Sequence, residues 1–120
     1  MSEYVLGAVE SKFADLIWEN EPLGSGELVK FAADALGWKK STTYTVLKKL
    51  CQRGIFSNEN GTVTSLVSKE DLAAKASESF VDEAFAGSLP AFVAAFTSKK
   101  RLTEQEIGAL KALIDDMEDK

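Results

Sequence analysis

WKKSTTYTVLKKLCQRG, running from Trp38 to Gly54, carries five cations (Lys39, Lys40, Lys48, Lys49, Arg53) and no acid, in a chain of formal net charge −5. Ser41 is a good helix N-cap and Gly54 a common helix stop, so the stretch predicts a helix between them. At 3.6 residues per turn, Thr43, Val46, Leu47 and Leu50 share one face, with Cys51 at its edge. Thr42, Thr45, Lys48, Lys49 and Gln52 share the other. One side can therefore be buried while the other presents cations and short hydrogen-bonding side chains. A helix lying in a DNA major groove needs that combination: Lys for phosphates, Thr and Gln for base edges or the thymine methyl. An ordinary solvated surface helix has a similar composition, so the flanking elements must decide.

Upstream, LGAVESKFADLIWEN places Leu6, Val9, Phe13, Leu16 and Ile17 at helical spacing, with Trp18 closing the end of that core stripe. Asn20, Pro22 and Gly24 break it. Ser25 can cap a second helix, with Leu28, Val29, Ala32 and Leu36 on its apolar face and Gly37 as its stop. Downstream of Gly54 the period changes. IFSNENGTVTSLV reads as two short strands around Asn60-Gly61, the dipeptide favoured in a type I′ hairpin. Two helices, a basic third helix and a hairpin make a winged helix-turn-helix, and the order of the signals points to DNA binding.

The second half is built differently. Ser68 to Asp71 matches a capping box that opens a helix through about Ala86, with Leu72, Ala76, Phe80, Ala84 and Phe85 on one side. Gly87-Ser88 interrupts it, and Pro90 suits the first turn of a short apolar helix bearing Phe92, Val93 and Phe96. Ser98 to Arg101 reads as a polar loop. Thr103 and Glu106 form another capping box, before a stripe of Ile107, Leu110, Leu113, Ile114 and Met117. The acidic tail DDMEDK is expected to fray. About fifty residues with so many Phe, Leu and Ile cannot bury them all alone, which points to a second copy as the partner, with packing back onto the first half as the alternative. The expected interface residues are Phe80, Phe85, Leu89, Phe92, Phe96, Ile107, Leu110 and Ile114.

Composition limits the alternatives. With 120 residues, 45% hydrophobic and 28% charged, the chain is long enough for one domain or two small ones. No apolar run approaches a membrane span and no signal pattern opens the chain, so a cytoplasmic location is expected. No His and a single Cys leave no zinc, haem or His-based catalytic site, so neither an enzyme nor a cofactor or metal is expected. Cys51 more readily packs than reacts. Residues 1–70 hold 8 Lys and Arg against 9 Asp and Glu, whereas residues 71–120 hold 6 against 10. A local basic face matters more to nucleic acid than the global sum, and the acidic half is the better candidate for protein contact.

Several pieces together resemble the BlaI/MecI penicillinase-repressor family, a group that also contains copper-responsive repressors. They are LGAVESKFADLIWE, the basic stretch itself, the Asn-Gly hairpin, LVSKEDL, the ESF around Phe80, GSLPAFVAAF and LTEQEIGALKALID. The resemblance covers nearly the whole chain and rests on order and spacing. It implies a winged-helix dimer repressing transcription from a palindromic operator, with Ser41, Thr42 and Thr45 facing bases and Tyr44, Lys48 and Lys49 on phosphates. Lys39 and Lys40 complete the expected DNA-binding set. Thr43 stands where the family usually has a larger aliphatic residue. The chain departs from the pattern in three further places. Its wing reads GTVTS with Glu59 before the turn, where the family usually has an arginine and a tyrosine. The bond cut during induction of antibiotic-responsive members, asparagine–phenylalanine, corresponds to Ala95–Phe96. The C-terminal cysteine pairs of copper-sensing members have no counterpart.

The expectation is thus a mainly α protein with a small β-hairpin: a winged helix-turn-helix DNA-binding domain over residues 1–68 and an all-helical dimerisation domain over 69–120. Its expected partners are double-stranded operator DNA and a second copy. A membrane sensor protease is a further partner that the resemblance raises. The rival class is a winged-helix protein-interaction adaptor, for which the net acidity and the acidic wing speak.

Overall fold

The computed structural model describes residues 4–119. The chain forms two compact units, the first ending at Phe80 and the second beginning at Val81.

The first unit contains α1 (Ala8–Asn20), β1 (Leu23–Gly24), α2 (Ser25–Leu36), α3 (Lys40–Gln52), β2 (Phe56–Glu59), β3 (Thr62–Ser65) and the start of α4 (Lys69–Phe85). The strands form one antiparallel sheet in the order β1-β3-β2. β2 and β3 are joined by Asn60 (φ 52°) and Gly61 (φ 81°), the two positive angles a type I′ turn requires. The winged helix-turn-helix expected from the order of signals is the fold observed. β1 is an addition: two residues, too short for any period, pair Leu23 with Val63 and Gly24 with Thr62.

Phe13, Ile17, Leu28, Leu47, Leu50, Ile55, Phe56 and Val63 form the centre of the core. Trp38 packs at a tilt against Phe13, 5.1 Å between ring centres, and Trp18 against Phe56 at 5.2 Å. The Trp18 indole N–H donates to the Val67 carbonyl at 3.1 Å, giving its polar tip a partner. Leu72 of α4 also belongs to this core.

Three local expectations need correcting. α1 starts at Ala8, where Glu10 accepts from the Gly7 N–H at 3.1 Å, so Leu6 precedes the helix. Its buried stripe is Phe13, Ala14 and Ile17, and Val9 is 53% exposed. Ser25 is the first residue of α2 rather than its cap. Gly24 caps it, its N–H donating to the Glu27 carboxylate at 3.1 Å. Ser41 likewise lies inside α3, because the chain already turns at Lys39, whose carbonyl accepts from Thr43 N–H (3.0 Å) and Thr43 Oγ1 (3.1 Å). That places Thr43, 1% exposed, in the core with its hydroxyl satisfied. Gly37 (φ 68°) and Gly54 (φ 79°) end α2 and α3 as expected.

The second unit holds the end of α4, α5 (Leu89–Lys99) and α6 (Glu104–Glu118). Ala86 and Gly87, both at positive φ, reverse the chain after α4. Ser88 Oγ caps α5 by accepting from Ala91 N–H at 3.1 Å. Thr103 and Glu106 make the reciprocal capping box of α6, at 2.8 and 3.1 Å. Ser98 and Lys99 are helical, which shortens the expected polar loop, and α6 runs on into the acidic tail as far as Glu118. Phe92 touches Phe85 edge-on at 5.6 Å and lies 6.1 Å from Phe96. None of residues 81–119 is fully buried.

Candidate nucleic-acid interface

α3 divides into two sides. Thr43, Leu47 and Leu50 are buried beneath it, whereas Lys40, Ser41, Thr42, Thr45, Lys48, Lys49 and Gln52 are exposed, as is Lys39 at its cap. On an ideal helix, Ser41, Thr42, Thr45, Lys48, Lys49 and Gln52 fall within an arc of about 120°. The structure thus brings the expected base-facing Ser41, Thr42 and Thr45 and two of the expected phosphate-facing residues, Lys48 and Lys49, onto one open surface. Lys39 and Lys40 stand at the positive end of the helix dipole, and no acid occupies the first turn. Cations there are electrostatically unfavourable for the isolated helix, and an anion brought to that end would relieve the strain.

Thr45 Oγ1 donates to the Ser41 carbonyl at 2.9 Å. With its proton committed, the hydroxyl offers lone pairs, and beside them a methyl. Those groups match an amino group or a thymine methyl on a base edge.

Two residues of the basic stretch are placed differently. Arg53 is half-buried and turned to the start of α1, donating to the Val5 carbonyl at 2.9 Å and lying 3.7 Å from Glu10. The sequence counts it among five cations, but the fold uses it to hold α1. Tyr44 sits at the flank of the exposed arc, half-buried, and its hydroxyl donates to Ser25 Oγ at 3.1 Å. Ser25 N–H in turn donates to the Gly61 carbonyl of the wing turn at 2.8 Å. Sequence reasoning took Ser25 for a cap; its contact with Tyr44 spans 19 residues and left no local signal.

The wing exposes Asn58, Glu59, Asn60 and Thr62 and carries no Lys or Arg from Phe56 to Ser65. Tyr44, Leu47, Lys48, Cys51 and Asn58 line an open groove of about 360 Å³ between α3 and β2. Burial pushes the Cys51 thiol up from its ordinary pKa, which disfavours the thiolate there.

In the second unit, the α6 stripe is open along its length: Ile107, Leu110, Leu113, Ile114 and Met117 are between 39% and 64% exposed. Phe96 and Leu89 of α5 are exposed, Phe85 and Phe92 half-buried. Phe80, at the end of the first unit, is exposed as well. Phe92, Val93, Phe96, Leu102, Ala109 and Leu110 line an apolar groove of about 400 Å³ between α5 and α6. Ala95 and Phe96 lie inside α5, both exposed. Among the described residues, no group of three or more His, Cys, Asp or Glu is placed to hold a metal ion, and no single helix is long and apolar enough to cross a membrane.

A family model described as penicillinase repressor matches residues 6–116. No curated protein matches the chain.

Proposed function

The chain belongs to the penicillinase repressor family, and from that premise we propose that it represses transcription as a homodimer on a palindromic operator. The observation that carries the reading is the exposed, acid-free arc of α3, with Lys39 and Lys40 at its N-terminus. Each α3 enters a major groove, the two half-sites lying about one helical turn, roughly 34–36 Å, apart. Lys39, Lys40, Lys48 and Lys49 neutralise phosphates and release counterions, which supplies affinity and makes it salt-dependent. Ser41, Thr42 and Thr45 face bases and supply discrimination. Bound at a promoter, the dimer blocks access to it.

Residues 1–68 act as the DNA-binding part and 69–120 as the dimerisation part. Support for the second role is the absence of any fully buried residue from 81 to 119 beside a continuous exposed stripe on α6. A second copy covers such a surface with matching stripes. The protein works in the cytoplasm, where its DNA is. No catalytic role is assigned. The chain keeps the repressor body without a recognisable copy of either family switch. Ala95–Phe96 replaces the asparagine–phenylalanine bond and lies within α5, so a sensor protease would have to open that helix to reach it.

The acidic, cation-free wing favours a second reading, a protein-interaction adaptor. A mobility-shift titration separates the two. It uses DNA from the chain's own upstream region against a scrambled competitor, from low to moderate salt, with Lys48→Ala and Lys49→Ala as controls. Tight, salt-sensitive, competitor-resistant binding that the controls lose is the expected result. No binding at low salt by a folded dimer would leave the adaptor reading in its place.

A further inference from the structure

We infer that Ser25 is a positioning residue that locks the roll of α3 to the wing, and that Tyr44 serves DNA reading through Ser25 rather than by gripping a phosphate. The inference rests on the DNA-binding reading above. Ser25 opens α2, away from the exposed arc of α3, yet it joins the two elements that would meet DNA. Its hydroxyl accepts from Tyr44 on α3 at 3.1 Å. Its amide, one of the N–H groups at a helix start that have no partner within the helix, donates to Gly61 in the wing turn at 2.8 Å. One residue thus ties the recognition helix to the wing tip by two hydrogen bonds.

The geometry gives the tie its consequence. Tyr44 and Thr45 are neighbours on α3, so their side chains point about 100° apart around the helix axis. Holding the Tyr44 phenol therefore sets the direction of Thr45, and with it Ser41 and Thr42. Base readout needs side chains aimed to within about 10–20°, whereas phosphate attraction tolerates far more. Tyr44 has a single hydroxyl proton, and a phosphate oxygen only accepts. The proton given to Ser25 Oγ is not at the same time available to the DNA backbone.

The test compares the upstream duplex with a scrambled duplex of equal length, using the full chain. Wild-type protein must first prefer the upstream duplex; if it does not, the DNA-binding reading fails and this inference falls with it. Given that preference, Tyr44→Phe and Ser25→Ala are each expected to lower the upstream-to-scrambled ratio roughly fivefold. The double variant should lose no more than either single one, and Ser25→Thr, which keeps the hydroxyl, should restore the ratio. Binding of Tyr44→Phe to the scrambled duplex, and its salt slope, should stay at the wild-type level. Parallel weakening on both duplexes would make Tyr44 a phosphate contact and overturn the inference; losses that multiply in the double variant would do the same. A measurement without DNA stands beside these. In the amide spectrum of the free protein, Tyr44→Phe should move the signals of Ser25, Gly61 and Thr62. Unmoved signals would overturn the tie whatever the DNA result.

Discussion

Glu21 and Ser65, 44 residues apart in the chain, are joined by both carboxylate oxygens: each accepts from the Ser65 hydroxyl at 2.8 Å, and Oε1 also accepts the Ser65 N–H at 2.8 Å. The contact holds the turn after α1 to the wing strand β3. Hydrogen bonds to a charged group contribute about 1.5–3 kcal/mol when part-buried. Glu21→Ala is therefore expected to destabilise the protein by about 2 kcal/mol, lowering Tm by several degrees. Thermal unfolding at matched protein concentration measures this. An unchanged Tm would mean that solvent replaces the carboxylate without loss.

Lys48 and Thr45 are both exposed on α3 but differ in chemistry. Lys48→Ala is expected to weaken all duplexes alike and reduce the salt slope by about 0.9 for the lost phosphate contact. Thr45→Ala is expected to narrow the gap between upstream and scrambled DNA by about 1–3 kcal/mol, with the slope unchanged. Titrations at four salt concentrations separate the two. A uniform loss from both substitutions would count against the assignment of roles.

The wing places Glu59 beside the turn without any cation on either strand. Glu59→Lys reverses that charge, and is expected to strengthen binding to upstream and scrambled duplexes in parallel while steepening the salt dependence. The gain should shrink as salt shortens the screening length to about 8 Å near physiological ionic strength. A wing that stays clear of DNA would show no change at any salt.

On α6, Ile114 is 54% exposed and Leu110 41%. Covering the half of each side chain still open is worth about 1 kcal/mol, and a two-fold interface counts each twice. Leu110→Asp with Ile114→Asp is expected to shift sedimentation from dimer to monomer while the far-ultraviolet helix signal persists. Operator affinity should fall with the dimer, because two linked half-sites become one. A variant that remains dimeric would place the interface elsewhere.

Glu106 is held below the ordinary carboxylate pKa by the backbone N–H of Thr103 first and by its hydroxyl second. A carboxyl with a depressed folded-state pKa stabilises the fold fully above its unfolded value, near 4.3. That contribution disappears as pH falls through the lower, folded value. The first turn of α6 should therefore loosen in acid, seen as a smaller protection factor of the Glu106 amide once exchange is referred to the intrinsic rate at each pH. In Thr103→Val, the Glu106 carboxyl is expected to titrate nearer its ordinary value in a carbon-detected NMR titration. A Glu106 titration unmoved by that change would assign the shift to the backbone N–H alone.

Much of the fold is legible in the amino-acid sequence. Asn60-Gly61, Gly37, Gly54 and the Thr103–Glu106 box act over four residues or fewer, so the sequence states them directly. The two sides of α3 were equally legible, since a helical period assigns Thr43, Leu47 and Leu50 to one side whatever they pack against. Even here the frame slipped where a cap could be drawn at either of two residues. The apolar run from Leu6 did not reveal that α1 begins at Ala8, and Ser25 and Ser41 lie one and two residues inside helices they were expected to cap.

The order of the helices and the hairpin, several of their ends and the open side of the basic helix are thus written locally in the residues. Tertiary structure decided the rest: that two residues, Leu23 and Gly24, become a strand; that Arg53 serves Glu10 and Val5 rather than the exposed arc; that Ser25 joins Tyr44 to Gly61. Caps and turns are closed by neighbours in the chain, so their chemistry is local. A hydrogen bond across 19 or 44 residues exists only once the core has brought distant elements together, and no period along the chain encodes which partner that will be.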